Sequence, residues 1–187
     1  MERLLGVRAA PGGKHAGRGT HNALLSLGGP AYLEIIAPDP AQAEPNGPRP
    51  FGVDSLKEPR LVTWAARSRD IERQVTESRA DGYDPGQIAE MSRALPGGGE
   101  LHWRLTMPPE HKGDGLVPFL IQWEPGEHPS ETSPGGCRLV ALSAEHPHPE
   151  SIDRMLAALG VGLDVVEAGR PALIATIECP LGTVVLT

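Results

Sequence analysis

Residues 20–37 of the chain, THNALLSLGGPAYLEIIA, consist of two apolar runs separated by a Gly-Gly-Pro segment at positions 28–30. Residues 20–27 and residues 31–37 are rich in aliphatic, aromatic and β-branched side chains, which favour strands. Because glycine and proline between two such runs are typical of a turn, the stretch predicts a β-hairpin.

A proline-rich segment follows this hairpin. Five prolines occupy positions between 38 and 50, and proline both fixes its backbone and lacks an amide donor. We therefore expect residues 38–59 to be a linker or a lid rather than a helix or a strand.

The next segment, residues 60–123, predicts one strand, one helix and three further strands. A strand over 60–66 precedes a helix that begins near Asp70 and has Ile71 and Val75 on one face. Glycines between 82 and 86 end this helix. The strands that follow are predicted at 90–95, 100–107 and 118–123, and the Pro-Gly-Gly-Gly segment at 96–99 predicts the hairpin turn between the first two.

After a loop at 124–136, residues 137–187 repeat the same order of elements. A strand over 138–143 precedes a helix that begins at Pro149 and ends at Gly160, with an apolar stripe that includes Ile152 and Leu156. Short strands are predicted at 163–167, 172–178 and 183–186. This internal repetition of a βαβββ unit is the most informative feature of the sequence and predicts an α+β fold.

The first segment, residues 1–37, corresponds to only part of such a unit. Residues 1–6, MERLLG, predict the last turn of a helix with Gly6 as its C-cap, and residues 7–37 predict three strands. One strand and most of a helix are missing, roughly 15–25 residues at average element lengths. Either Met1 is a late start site or the chain is a genuine truncation.

Composition narrows the function. The chain has 187 residues and a formal net charge of −7, without a run of basic residues, which argues against nucleic-acid binding. No apolar stretch is long enough to cross a bilayer, and no signal-peptide pattern opens the chain. Cys137 and Cys179 form no CxxC motif, so we expect two buried thiols and a cytoplasmic protein.

Several phrases of the sequence resemble one family. Residues 19–28, GTHNALLSLG, and 32–40, YLEIIAPDP, are similar to glyoxalase-like members of the vicinal oxygen chelate superfamily. Residues 91–93, 103–105 and 118–123 continue the resemblance, which spans about two thirds of the chain.

The resemblance implies paired βαβββ modules curled into a half-barrel around a small ligand. Members of the superfamily usually hold one divalent metal there, such as Mn, Fe, Ni or Zn, which acts as a Lewis acid. Glu34 occupies the strand on which such a ligand is expected, and Gln122 would supply an oxygen from another strand. The opening strand that commonly carries a histidine ligand is missing, and Trp64 occupies the equivalent strand of the next module.

Three polar residues of the hairpin are candidates for chemistry. Glu34 lies between apolar neighbours, so we expect its carboxylate to bind a metal, a cation or a hydrogen-bond donor. An internal salt bridge to Arg104 is the alternative. His21 is a candidate metal ligand or acid–base group and Asn22 a candidate carbonyl partner, unless both only satisfy backbone groups at a strand end.

Aromatic and basic residues are the other candidates. Trp64, Trp103 and Trp123 are the three tryptophans, and they form either the wall of a pocket or part of a core. Arg93 and Arg104 either bind a carboxylate or phosphate of a ligand or form surface cross-strand pairs.

One further motif, His146-Pro147-His148-Pro149-Glu150, resembles a metal-binding tract. Proline before a periodic apolar segment is typical of a helix start, which we take as the interpretation of this motif.

Two functional hypotheses remain open. The first is a metal-assisted lyase, isomerase or dioxygenase acting on a small oxygenated molecule, with Glu34 as a metal ligand or proton acceptor and His21 beside it. The second is a protein that sequesters a small molecule without chemistry, as bleomycin-resistance relatives do. The missing first strand also predicts an open sheet edge that a second copy of the chain closes in a homodimer.

Overall fold

The computed structural model describes residues 1–94, 100–107, 112–126 and 128–187. Its N-terminal segment forms a single helical turn and a three-stranded antiparallel sheet in the order β1-β2-β3. The elements are α1 (Glu2–Leu5), β1 (Ala10–His15), β2 (Thr20–Ser26) and β3 (Tyr32–Pro38). Gly6 ends α1 in the left-handed conformation with φ +70°, as the sequence predicts.

The proline-rich linker contains one 3-10 segment, Pro50–Ser55. The Arg49 side chain anchors it by donating to the carbonyl of Gly19 at 3.0 Å and by pairing with Asp54. Phe51 adopts φ +58°, which is unusual for a bulky residue, and its ring lies 6.1 Å from that of Phe119. The linker is therefore tied both to the start of β2 and to the second sheet.

The second segment has the predicted order of one strand, one helix and three strands. These elements are β4 (Ala65–Arg67), α2 (Ile71–Ala80), β5 (Gln87–Ala94), β6 (Glu100–Met107) and β7 (Phe119–Trp123). The sheet order is β4-β7-β6-β5, and β4 runs parallel to β7. The first strand is shorter than predicted, because only Ala65, Ala66 and Arg67 pair with β7. The predicted turn at 96–99 lies outside the described residues.

The C-terminal segment repeats the order of elements with a different strand pairing. A short helix, α3 (Pro129–Thr132), precedes β8 (Arg138–His146), α4 (Pro149–Leu159), β9 (Asp164–Glu167), β10 (Ala172–Cys179) and β11 (Gly182–Leu186). The sheet order is β11-β10-β8-β9, with β8 and β9 parallel. The short connection after α4 returns the chain directly beside β8, which is the arrangement of a simple βαβ crossover.

Two apolar cores attach the C-terminal module to the outer sides of the other two sheets. One core includes Ile71 and Leu120 of the second segment with Ile152 of α4, all almost fully buried. The other joins Leu25 of β2 to Ile177 of β10. The order of the elements confirms the α+β class with repeated βαβββ modules.

None of the helices among the described residues has the length and apolar character needed to cross a membrane.

Candidate functional site

One face of the first sheet collects polar side chains. Glu34 of β3 lies opposite Leu24 of β2, and His15 at the end of β1 lies opposite Thr20 of β2. The even-numbered residues of β2 and β3 therefore lie on the same face of the sheet as His15. Because side chains alternate between the two faces of a sheet, His15, Asn22 and Glu34 share one face with Tyr32.

One face of the second sheet collects two tryptophans and an arginine. Trp103 pairs with both Met91 and Trp123, and Arg93 pairs with Leu101. The same alternation therefore places Arg93, Trp103 and Trp123 on one side of this sheet.

These two faces are turned toward each other. The Arg93 side chain donates a hydrogen bond to the carbonyl of Gly12 in β1. The Tyr32 ring lies 6.5 Å from the Trp123 ring in an edge-to-face arrangement. We call this surface the inner face, and it comprises His15, Asn22, Tyr32, Glu34, Arg93, Trp103 and Trp123.

Among the described residues, only one oxygen of the Glu34 carboxylate accepts a hydrogen bond. Asn22 Nδ2 donates to Glu34 Oε1 at 2.6 Å, and Oε2 has no hydrogen-bond partner among the described residues. The side chain is 32% exposed, which is more open than its apolar neighbours suggest. Leu33 and Ile35 project to the opposite face and so do not cover it. The alternative, a salt bridge between Glu34 and Arg104, is not formed, because Arg104 lies on the far side of the second sheet and pairs with Glu72.

His15 lies next to Asn22 and Glu34 and is a neutral base. Its Nδ1 lies 2.9 Å from Thr20 Oγ1, and its Nε2 lies 3.3 Å from Asn22 Nδ2 and 3.7 Å from Glu34 Oε1. Burial lowers the pKa of His15, the Glu34 carboxylate partly opposes this, and the Arg93 guanidinium lowers the pKa further. Since Asn22 Nδ2 is a donor, His15 Nε2 accepts and Nδ1–H donates to Thr20. Sequence reasoning missed His15, which ends a strand in a glycine-rich segment without apolar alternation.

Glycines of β1 make room for this arrangement. A Cβ atom at Gly12 would overlap Asn22 Oδ1, and one at Gly13 would lie 3.4 Å from Arg93 Cδ. The absence of a side chain at Gly13 makes room for Arg93 to lie against β1, and its absence at Gly12 makes room for the Asn22 amide. Asn22 Oδ1, pressed against Gly12, has no hydrogen-bond partner among the described residues.

Aromatic rings form the opposite wall. The Trp103 and Trp123 rings lie 5.1 Å apart, and His128 lies 5.5 Å from Trp123 and 5.6 Å from Tyr32. Burial raises the pKa of Tyr32, and the nearby Glu34 carboxylate raises it further, so its hydroxyl stays a donor. Burial and the Arg67 charge lower the pKa of His128, so this ring is neutral at pH 7. Such a wall suits the flat part of a small ligand.

His21 lies apart from this cluster. It pairs with Lys14 and Ala37, so the alternation of β2 places it on the face opposite Glu34, and it is exposed to solvent. The prediction that His21 lies beside Glu34 is therefore wrong. The histidine beside Glu34 is His15.

Three other predicted site residues have structural contacts away from the inner face. Trp64 Nε1 donates to the Leu116 carbonyl at 2.7 Å and packs against the core. Gln122 Oε1 accepts from the Ile71 amide at 2.8 Å, at the start of α2. Arg104 pairs with Glu72 of α2. These contacts place all three side chains away from the inner face.

The His146–His148 motif lies at the start of α4, as the sequence predicts. His148 precedes Pro149 at the first position of the helix. His146 Nε2 lies 3.1 Å from Asp114 Oδ2, and its Nδ1 accepts from the His148 amide. Both ring nitrogens are thus engaged within the protein.

The described residues do not fit the divalent metal that the fold family implies. In the part of the chain that the structure describes, no three His, Cys, Asp or Glu side chains converge on one point. On the inner face His15 Nε2 lies 3.7 Å from Glu34 Oε1, but the amide donor of Asn22 contacts both of these side chains. A hydrogen-bond donor in that position opposes a cation.

The repeated βαβββ modules, with the inner face between the first two sheets, define an α+β domain of paired modules. A family model described as a glyoxalase-like domain matches residues 1–160, and the chain belongs to this family. The match extends through α4, beyond the region in which the sequence phrases resemble it.

A solved structure supports the fold independently. It is described as a hypothetical protein from Staphylococcus aureus, and it is similar to this chain with a TM-score of 0.65 at 13% sequence identity. The alignment covers 89% of this chain and 79% of that one. Among curated proteins, none matches this chain.

Proposed function

We propose that this glyoxalase-like domain binds a small oxygenated organic molecule on the inner face and that Glu34 accepts a proton from it. The observation that carries this proposal is the Glu34 carboxylate, whose Oε1 is held by Asn22 while Oε2 is left without a partner among the described residues. A carboxylate positioned by one hydrogen bond and open on its other oxygen is suited to general-base chemistry.

The chemistry is a proton transfer of the lyase or isomerase kind. Glu34 Oε2 takes a proton from a carbon or hydroxyl next to a carbonyl of the ligand and returns it to the product. The Tyr32 hydroxyl, kept protonated by its surroundings, is a donor for the ligand oxygen on which negative charge develops. No step is assigned to a metal, because the described donor set does not fit one.

The alternative is sequestration of a ligand without chemistry. It is supported by the aromatic wall, in which Trp103, Trp123, Tyr32 and His128 contact one another and need no catalytic partner. In this case Glu34 only hydrogen-bonds the bound molecule.

Two readouts on one panel of compounds separate these functions. Binding is measured by the indole ¹H–¹⁵N signals of the tryptophans, with Trp64 as an internal reference because its Nε1 is bonded within the core. Proton abstraction is measured by solvent deuterium exchange into hydroxyacetone, dihydroxyacetone and phenylpyruvate. The variants are Glu34→Gln and, as a matched control, Glu72→Gln, which removes a carboxylate paired with Arg104 outside the inner face.

We expect the wild type to accelerate exchange into at least one compound. Glu34→Gln should lower that rate by about 100-fold or more, the usual contribution of a general base. Glu72→Gln should leave the rate unchanged. Shifts of the Trp103 and Trp123 signals without exchange would establish sequestration instead. If no compound of the panel shifts the Trp103 or Trp123 signal and none undergoes accelerated exchange, both functions are contradicted.

We further propose that the protein forms a homodimer through β3. This strand is at the edge of its sheet, and among the described residues it pairs only with β2. An unpaired edge favours pairing with another chain. Light scattering at micromolar concentration tests this proposal, and a strictly monomeric protein would contradict it.

A further inference from the structure

We infer that the ligand of the inner face is a carboxylic acid and that Arg93 binds its carboxylate. This inference rests on the proposed small-molecule function and names the class of molecule. Its starting point is that Arg93 forms no ion pair within the described part of the chain, although it extends over a site that contains a carboxylate.

Arg93 is held in place without being neutralised. One of its N–H groups donates to the Gly12 carbonyl, and its aliphatic part lies against Gly13. A guanidinium has five N–H donors in a planar fork, so this contact leaves most of them for a ligand. The backbone carbonyl carries no full charge, so this contact holds the Arg93 side chain without forming an ion pair.

The charges around Arg93 favour an anion. Within the described residues of the inner face, Glu34 is the single carboxylate, and the donor bound to its Oε1 is Asn22 rather than Arg93. A second cation, Arg67, lies beside Ile121 on the same side of the second sheet, and its effect on the pKa of His128 is opposed by the Glu131 carboxylate. The two histidines of the region, His15 and His128, are held neutral. Arg93 is therefore a cation of the inner face without an ion pair among the described residues, and one anionic group on the ligand would supply that partner.

The surroundings also restrict the rest of the ligand. In the paired strands Arg93 and Trp103 are diagonal neighbours on the same face, about 7–8 Å apart at their backbones. The Trp103–Trp123 pair therefore lies beside the strand that carries Arg93, on the face from which its side chain extends. A small aromatic or conjugated acid matches both features. A neutral polyol matches neither.

The experiment compares each acid with its neutral counterpart on the intact chain. Benzoate and benzamide, salicylate and salicylamide, and phenylpyruvate and its methyl ester are titrated while the Trp103 and Trp123 indole signals are followed. The variants are Arg93→Gln, Arg93→Lys and the control Arg104→Gln, which removes a guanidinium from the opposite face of the same sheet. The Trp64 signal reports that each variant is folded.

We expect the acid of at least one pair to bind about tenfold or more tightly than its neutral partner, in line with a charge-assisted hydrogen bond. Arg93→Gln should bring that ratio close to one, Arg93→Lys should restore part of it, and Arg104→Gln should keep it. Equal affinity for acids and neutral partners, or a ratio unchanged by Arg93→Gln, would overturn the carboxylate inference and leave the proposed small-molecule function standing. If none of the compounds moves either signal at about 10 mM, ten times a weak fragment Kd, both are overturned.

Discussion

Asn22 Nδ2 donates a hydrogen bond to Glu34 Oε1 at 2.6 Å, although these residues are not directly opposite each other in the β2–β3 ladder. Leu24 is the partner of Glu34, and Ile36 is the partner of Asn22. The contact is therefore a diagonal one along the same face, which only side chains of sufficient length can make. It fixes one carboxylate oxygen and connects Glu34 to His15.

Replacing Asn22 with aspartate should destabilise the protein at neutral pH. Asn22→Asp puts a second carboxylate beside Glu34 Oε1, so one of the two groups must take up a proton on folding and its pKa rises. A raised folded-state pKa makes the variant regain stability as the pH falls below about 5. Thermal unfolding across this range tests the prediction. The variant would contradict it if its loss of Tm relative to the wild type were the same at pH 7 and pH 4.5.

Gly12→Ala should also be destabilising. The new Cβ would overlap Asn22 Oδ1 and press on Leu24, and overpacking of this kind costs typically about 1–3 kcal/mol. Denaturant unfolding measures the change. Gly162→Ala is the control, because a Cβ there meets open space, and it should change stability by no more than a few tenths of a kcal/mol. Similar losses in the two variants would show that Gly12 has no special packing role.

The stability of the protein should fall as the pH decreases through the histidine range. The folded-state pKa of His15 lies below its ordinary value of about 6.5, so the unfolded chain binds a proton that the folded chain resists. The stabilisation is present above pH 6.5 and is lost below it, and His128 contributes in the same direction.

Unfolding measured at pH 7.5 and pH 5.5 checks this dependence. His15→Gln should reduce the loss between the two pH values, and adding His128→Gln should reduce it again. A loss that is the same in the wild type and the double variant would assign the pH dependence to other groups.

Replacement of Trp64 by phenylalanine should mainly lower the stability of the protein, whereas replacement of Trp103 should mainly weaken ligand binding. Trp64→Phe leaves the Leu116 carbonyl without its donor, at a cost of about 1–3 kcal/mol, but leaves the inner face intact. Trp103→Phe removes part of the aromatic wall and should weaken binding of an aromatic ligand with a smaller effect on unfolding. Paired measurements of unfolding and of phenylpyruvate binding check this division. Loss of binding in Trp64→Phe without unfolding would contradict it.

Much of the fold is predictable from local sequence. Gly6, Asp70, Pro149 and Gly160 mark helix ends because their conformational preferences act within one turn of the chain. The hairpin at 20–37 is predictable for a similar reason. The short β4 is not, because residues 60–64 have the composition of a strand but find no strand partner in the fold.

The residues of the candidate site were also predictable only in part. Glu34, Asn22, Arg93, Trp103 and Trp123 were expected from the sequence, and the structure brings them to one face. His21, Trp64, Arg104 and Gln122 were expected as well, and each lies elsewhere. Residue type does not distinguish the two groups, because both contain polar and aromatic residues in or beside strands. What distinguishes them is the face of the sheet on which each side chain lies.

What the sequence by itself determined is the order of βαβββ elements and the kinds of side chain available to a site. Those properties depend on apolar periodicity, on glycine and proline, and on contacts between near neighbours. The tertiary structure alone decided that His15 rather than His21 adjoins Glu34, and that Arg93 crosses Gly12 and Gly13 from another sheet. A shift of one residue in register turns every side chain of a strand to the other face, and register is set by packing between distant segments.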